Sequence, residues 1–139
     1  MRENRPLLSV EGLSTWYQQP DGRLSVLDHV SFQVAEGEFV CLVGASGSGK
    51  TTLLKLIAGL ERPADGGIFL AGEAVKEPSR NVGFVFQDPT LMDWRTVESN
   101  VTLPLELNGV SKREAKDKAH ALLELVRLTG FEEAYPAQL

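Results

Sequence analysis

The sequence predicts an α/β fold in which a buried strand, a glycine-rich loop and a helix follow one another. Residues 39–43 are an uninterrupted apolar run, which is typical of a strand covered on both faces. Glycines at positions 44, 47 and 49 come directly after this run. Leucine and isoleucine then recur at helical spacing from residue 53 to residue 60, so a helix is expected to begin near Lys50.

Further strands are expected on both sides of this unit. Residues 7–16 mix apolar and small polar side chains and are predicted to form an edge strand, which a turn at 20–22 separates from the next one. Apolar residues at most even positions from 26 to 34 indicate a half-buried strand. Short strands are also predicted at 68–70 and 81–86.

The last part of the chain, from about residue 97 to residue 128, is predicted to be helical. Ser111 and Glu114 have the spacing of a capping box, and Gly130 is predicted to terminate the helix. One face of this helix is expected to be apolar; it comprises Ala115, Ala119, Leu122, Leu123 and Val126.

Composition narrows the class of protein. The 139 residues suffice for one domain, and 42% apolar with 24% charged residues is ordinary for a globular protein. A net charge of −5 without a basic block argues against nucleic-acid binding. The single cysteine, Cys41, excludes an internal disulfide framework and is expected to be buried within its apolar run. His29 and His120 lack metal-ligand partners at suitable spacing and are interpreted as structural.

The loop itself has the pattern glycine, four residues, then Gly-Lys-Thr, which is typical of a triphosphate cradle. Its glycines let the backbone bend so that N–H groups point at an anion, where the helix N-terminus adds partial positive charge. Lys50 is expected to contact the β and γ phosphates, and the Thr51 hydroxyl to coordinate magnesium. The predicted ligand is therefore ATP with Mg²⁺. The predicted contacts are Gly44, Ala45, Ser46, Gly47, Ser48, Gly49, Lys50, Thr51 and Thr52.

Other nucleotide-binding classes fit less well. The glycine spacing does not match the Gly-x-Gly-x-x-Gly dinucleotide fingerprint. A P-loop kinase or GTPase should carry a lid arginine cluster or a base-specificity motif, and we find neither in the sequence. A non-catalytic nucleotide-binding chain remains an alternative.

Four landmarks surround the loop: Tyr17, residues 30–38, the Ala58-Gly59-Leu60 connection with its following proline and glycines, and Val85-Phe86-Gln87-Asp88. With them, residues 13–100 closely resemble the nucleotide-binding subunit of ATP-binding cassette (ABC) transporters. The resemblance implies an α/β P-loop NTPase domain. Its β subdomain and RecA-like core would span about 7–96, and the start of its helical subdomain about 97–139.

The resemblance also assigns roles to residues outside the loop. An aromatic residue would stack on adenine, and this would be Tyr17 or the neighbouring Trp16, with Tyr17 favoured. Gln87 would contact magnesium and the attacking water and sense the membrane subunit. The implied catalytic residues are Lys50 and Gln87, and the implied metal contacts are Thr51 and Gln87.

Residues 91–97 with Asn100 resemble the importer subgroup that serves nitrate, sulfonate, taurine or pyrimidine precursors. The implied partners are a separate transmembrane permease, a second ATP-binding subunit and, indirectly, a solute-binding protein. The chain would lie at the cytoplasmic face of the membrane. Residues 88–105 would form the permease groove, with Leu91, Met92 and Trp94 exposed toward it.

Later parts of the family pattern are not found in the sequence. The final Leu139 stands where the signature motif would begin, and no apolar strand ending in Asp-Glu occurs over 105–139. From the sequence we therefore expect a truncated chain that lacks the general base and is inactive alone. We also expect residues 39–43 to present an exposed apolar strand edge.

Overall fold

The computed structural model describes residues 6–139, which form two compact units. The first extends to Val85 and the second comprises Phe86–Leu139. The boundary expected from the sequence, near residue 96, stays a prediction. No helix within the described range is long and apolar enough to cross a bilayer.

The first unit contains an antiparallel sheet. Its strands are β1 (Leu8–Gln19), β2 (Gly22–Val34), β3 (Asp65–Leu70) and β4 (Glu73–Ala74). Their spatial order is β2-β1-β3-β4, so β1 pairs on both sides. The prediction of an edge strand at 7–16 is therefore wrong.

The small polar residues of β1, which suggested an edge, are satisfied inside the sheet. Ser9 is 8% exposed and Ser14 is 7% exposed. The Ser9 hydroxyl donates to Glu11 (2.9 Å), and the Ser14 hydroxyl accepts from the backbone N–H of His29 (3.0 Å). Because hydrogen-bonded hydroxyls are inexpensive to bury, a central strand can carry them.

One helix, α1 (Lys50–Ile57), covers this sheet, as its periodicity predicts. Its buried leucines pack into a cluster with three strands of the sheet. That cluster consists of Val10, Leu13, Leu27, Leu53, Leu56 and Ile68. Burial of these side chains fixes the face of α1 that meets the sheet, and so fixes where its first turn lies.

Two predicted strands are not formed. Residues 39–43 and 81–86 belong to no strand among the described residues. Phe39, Val43 and Val85 are at least 90% exposed. A strand buried in a sheet needs hydrogen-bonded neighbours, so an apolar run alone does not produce one. The expectation that Cys41 is buried is wrong for the same reason, since it lies exposed in this run.

The second unit is built on α2 (Val97–Leu107) and α3 (Lys112–Leu125), followed by a 3₁₀ turn at Pro136–Gln138. Ser111 caps α3 by accepting from the backbone N–H of Glu114 (3.3 Å). The Glu114 carboxylate instead pairs with Lys118 (2.7 Å), so only half of the predicted capping box forms.

α3 ends at Leu125, five residues before the predicted terminator Gly130. Arg127 adopts a left-handed φ of 62°, and the Leu128 N–H reaches back to the Leu123 carbonyl (2.8 Å). This is the closing geometry usually supplied by glycine. Val126 consequently lies outside the helix and is 60% exposed, unlike the buried Ala115, Ala119 and Leu123 of the predicted apolar face. Leu122 is also exposed.

Glu98 links the two helices. One of its carboxylate oxygens lies 2.6 Å from His120 Nε2 and 3.2 Å from Lys116 Nζ, so both α3 side chains converge on α2. Burial raises the pKa of Glu98, but these hydrogen bonds and the Lys116 charge outweigh it and hold the pKa below its usual value. The interaction is therefore strongest with the carboxylate ionised.

This linkage predicts a pH dependence of stability. Since the folded pKa is lowered, the contribution of Glu98 is complete above about pH 4.3 and is lost as pH falls through the folded pKa. Glu98→Gln should reduce the free energy of unfolding by about 1 kcal/mol at pH 7. The deficit should shrink toward pH 3 in urea titrations followed by circular dichroism. Glu124→Gln, at an exposed position of α3, is the control; a deficit independent of pH would contradict the assignment.

Candidate functional site

The glycine-rich loop turns sharply before α1. Gly47 (φ 76°) and Gly49 (φ 87°) both occupy the left-handed region, and Gly49 is the N-cap of α1. A Cβ on Gly49 would lie 3.0 Å from the Val26 carbonyl oxygen and 3.0 Å from Leu27 Cδ2. The backbone conformation and the contact with β2 therefore both favour glycine here.

The Lys50 side chain bends back and bonds to the loop that precedes it. Its ammonium donates to the carbonyls of Gly44 (2.9 Å) and Ala45 (2.7 Å) and to the Ser48 hydroxyl (3.3 Å). These three acceptors are neutral. Anionic phosphate oxygens accept stronger, charge-assisted hydrogen bonds, so a polyphosphate would compete for the same ammonium.

The first turn of α1 adds to the attraction for anions. Its N-terminal N–H groups begin at Lys50, and no acidic residue lies in this turn. The helix dipole and the ammonium thus place positive charge at the same point. Lys55, in the last turn, complements the opposite end of the helix.

A cavity of about 260 Å³ lies beside the loop. Tyr17, Leu24 and Val26 form its apolar wall, and residues 47–52 form its polar wall. This pairing suits a ligand with a flat apolar part and an anionic tail. A larger cavity of about 510 Å³ along residues 70–81 contains no loop residue, so we do not assign it to this site.

The two candidate aromatic residues face different surroundings. Tyr17 lines the cavity, and its hydroxyl donates to Glu61 (2.8 Å) and lies 3.4 Å from the Thr52 hydroxyl. Trp16 does not line it, and the Arg23 guanidinium lies 5.0 Å from the centroid of its ring. This arrangement supports Tyr17 as the residue that meets a base, although the role itself stays a prediction.

The predicted site residues divide between the two units. The structure brings together Tyr17, Gly47, Ser48, Gly49, Lys50, Thr51 and Thr52 around the cavity. Gly44 and Ala45 contact the Lys50 ammonium, and Ser46 continues the same loop. Gln87 is exposed and belongs to the second unit, so its part in the site stays a prediction.

Sequence reasoning missed three residues of this site. Leu24 and Val26 line the cavity, and Glu61 bonds to the Tyr17 hydroxyl. The signal for Leu24 is the pairing of β1 with β2, which sets it opposite Tyr17. Glu61 had no such signal, because only the three-dimensional reversal after α1 returns it to β1.

The contrast between two loop glycines gives a matched test. Ala at either position incurs left-handed strain of about 1 kcal/mol. Gly49→Ala would also press on β2, whereas a Cβ on Gly47 would meet nothing within 4 Å. Gly49→Ala should therefore lower the melting temperature more than Gly47→Ala, as measured by calorimetry. Equal losses would contradict the close packing of Gly49.

Comparisons with known proteins point to one family. A family model described as ABC transporter matches residues 27–139. The chain is 47% identical over 132 residues to an uncharacterized ABC transporter ATP-binding protein, MJ0412, of Methanocaldococcus jannaschii, covering 95% of this chain and 49% of that protein.

Two further relatives carry the names of import proteins. The nitrate import ATP-binding protein NrtD of Synechocystis is 43% identical, covering 95% of this chain and 50% of that protein. The aliphatic sulfonates import ATP-binding protein SsuB of Bacillus cereus is 40% identical, covering 95% and 51% respectively. The chain thus spans about half the length of the curated relatives it matches.

The fold is similar to a solved structure as well. The ATP-binding cassette MJ0796, in a dimeric post-hydrolysis state bound to ADP and Pi, superposes with a TM-score of 0.84 at 28% identity. The match covers 95% of this chain and 62% of that one. The chain therefore belongs to the ABC transporter family, and its described residues form part of an α/β P-loop ATPase cassette.

Proposed function

We propose that this chain binds ATP with Mg²⁺ through the loop at residues 44–51 and Thr52, as the ATP-binding part of an import system. The observation that carries the proposal is the Lys50 ammonium, held inside the loop by the Gly44 and Ala45 carbonyls and the Ser48 hydroxyl. Arriving phosphates would take over its hydrogen bonds, while the adenine would stack on Tyr17.

The magnesium ion would be held by the Thr51 hydroxyl and Gln87, and the catalytic residues would be Lys50 and Gln87. Thr51 lines the cavity, which supports its part. Magnesium prefers oxygen ligands, and when bound it would supply positive charge that offsets the charge of the phosphates. This chain's own residues would bind and orient the triphosphate and offer the hydroxyl and amide oxygens.

We further propose that this chain alone does not sustain ATP hydrolysis. Among the described residues that line the cavity, none is a carboxylate that could accept a proton from water. The carboxylate nearest to Tyr17, that of Glu61, is already bonded to the Tyr17 hydroxyl and to Lys55. A missing general base typically costs a factor of about 10²–10⁴ in rate.

Nucleotide titration tests the binding proposal. Lys50→Ala should weaken ATP affinity by about tenfold or more, because it removes a charge-assisted bond to phosphate. Lys76→Ala, an exposed lysine of the same unit, should leave affinity unchanged. Fluorescent-nucleotide binding and phosphate release should be measured together. Normal ATP binding by Lys50→Ala would refute the assignment of the loop as the phosphate site. Sustained phosphate release by the unaltered chain would refute the claim that its site lacks a general base.

The transported solute is proposed to be a small anion such as nitrate, a sulfonate or taurine. The support is the similarity to relatives named for nitrate and aliphatic sulfonate import, at 43% and 40% identity. A methionine import ATP-binding protein of Geobacillus kaustophilus is 37% identical, so identity alone separates the solutes only slightly. We further propose a permease, a second ATP-binding subunit and, indirectly, a solute-binding protein as partners, at the cytoplasmic face of the membrane.

Residues 88–105 are proposed to receive the permease. Leu91 is 48% exposed and Trp94 is 77% exposed, whereas Met92 is half-buried rather than fully exposed. Large exposed apolar side chains in one segment are typical of a contact surface.

Asn100 bonds to the backbone on both sides of Trp94. Its side-chain amide donates to the carbonyls of Met92 (3.1 Å), Arg95 (3.0 Å) and Thr96 (3.0 Å). Its side-chain oxygen accepts from the Met92 N–H (2.8 Å). The backbone that carries Trp94 is thus ordered before any partner arrives, which reduces the entropic cost of binding.

Mutation of the exposed tryptophan tests the permease proposal. In cells that carry the complete transporter, Trp94→Ala should reduce permease association and solute uptake several-fold, while ATP binding is unchanged. In alanine scans of protein interfaces, truncation of an aromatic hot-spot residue typically costs about 2 kcal/mol or more of binding free energy. Leu107→Ala is the control, since Leu107 is 76% exposed in the same unit but outside the segment.

Uptake of methionine in place of nitrate or sulfonate would contradict the solute proposal.

A further inference from the structure

We propose that Glu61 is a positioning residue that holds the Tyr17 ring in place for the adenine base. This inference rests on the proposed function, in which Tyr17 stacks on the base. Glu61 lies outside the glycine-rich loop and does not line the cavity, so it would act through the tyrosine rather than on the nucleotide.

The Glu61 carboxylate is shared between a strand and a helix. One oxygen accepts from the Tyr17 hydroxyl (2.8 Å), and the other lies 3.3 Å from the Lys55 ammonium of α1. The Glu61 side chain is 31% exposed. The ion pair restrains the carboxylate, and the carboxylate in turn restrains the ring.

A tight reversal of the chain brings Glu61 back toward β1. Gly59 (φ 73°) follows α1, and its N–H bonds to the Leu56 carbonyl (3.0 Å), while the Leu60 N–H bonds to the Lys55 carbonyl (2.9 Å). These two bonds define a Schellman motif. A Cβ on Gly59 would lie 2.5 Å from the Glu77 carbonyl oxygen, so the reversal depends on glycine.

The bond to Glu61 is the shorter of the two hydrogen bonds of the Tyr17 hydroxyl, since the Thr52 hydroxyl lies 3.4 Å away. Tyr17 is 42% exposed and lies near the end of β1. An unrestrained ring would lose rotational freedom on binding a base, and ordering it beforehand removes that cost. The hydroxyl lies in the plane of the ring at its edge, so its bond to Glu61 leaves the ring face available for stacking.

Two ligands separate this role from phosphate binding. Mg²⁺-ATP contains the base, whereas Mg²⁺-tripolyphosphate offers the loop its phosphates without one. Glu61→Ala should weaken ATP binding roughly two- to tenfold and leave tripolyphosphate binding unchanged, as measured by calorimetric titration. Glu61→Gln, which can still accept the bond, should fall between. Glu73→Gln, at an exposed position on β4, is the control.

A double-mutant cycle identifies the route of the effect. Tyr17→Phe keeps the ring and removes the hydroxyl, so it should weaken ATP binding as Glu61→Ala does. The double variant should bind ATP no more weakly than Tyr17→Phe alone, because Tyr17→Phe already removes the bond to Glu61 together with the 3.4 Å contact to Thr52. Full additivity would overturn the inference, and so would equal losses for ATP and tripolyphosphate.

Further outcomes distinguish a failure of this inference from a failure of the proposed function. Unchanged ATP affinity in Glu61→Ala would overturn the inference while leaving the loop assignment intact. Failure of the unaltered chain to bind tripolyphosphate would instead overturn the proposed function. If Glu61→Ala fails to fold, Tyr17→Phe replaces it as the test, because Tyr17 is 42% exposed and lies outside the buried core. Unchanged ATP affinity in that variant would overturn the inference.

Discussion

The site depends on the left-handed turn at Gly49. This residue joins the loop to α1 at a point where an added Cβ would press on Val26 and Leu27 of β2. Because the turn is sharp, Lys50 becomes the first residue of the helix and its side chain reaches back to the Gly44 and Ala45 carbonyls. The positive end of the helix and the ammonium therefore converge on one small volume.

The antiparallel sheet gives this turn a fixed frame. Leu53 and Leu56 of α1 pack into the same cluster as Val10 and Leu13 of β1, so the helix cannot shift without exposing apolar surface. The frame also sets Tyr17 beside the loop. The bond from its hydroxyl to Glu61 then ties the end of β1 to the segment that follows α1. The same frame thus positions both the loop and Tyr17, which are proposed to bind the phosphates and the base.

Local features were predictable from the sequence because they depend on neighbouring residues. The loop pattern, the start of α1 near Lys50 and the Ser111 cap of α3 all follow from short spacings. The absence of a strand at residues 39–43 was not predictable, since an apolar run indicates a need for burial but not the presence of a pairing strand. The prediction that Cys41 is buried was wrong for the same reason. The bond between Tyr17 and Glu61 could not be predicted from the sequence, because the two residues are 44 positions apart and only a chain reversal brings them together.

The central claim is that the loop at residues 44–51, with Tyr17 beside it, receives the triphosphate and its base. A titration of isotope-labelled chain with Mg²⁺-ATP, followed by amide and aromatic NMR shifts, tests it most directly. The account predicts that the largest changes lie at the backbone amides of 44–52 and at the Tyr17 ring, with little change along residues 70–81. Dominant shifts along the larger cavity at 70–81, with the loop amides unmoved, would contradict it.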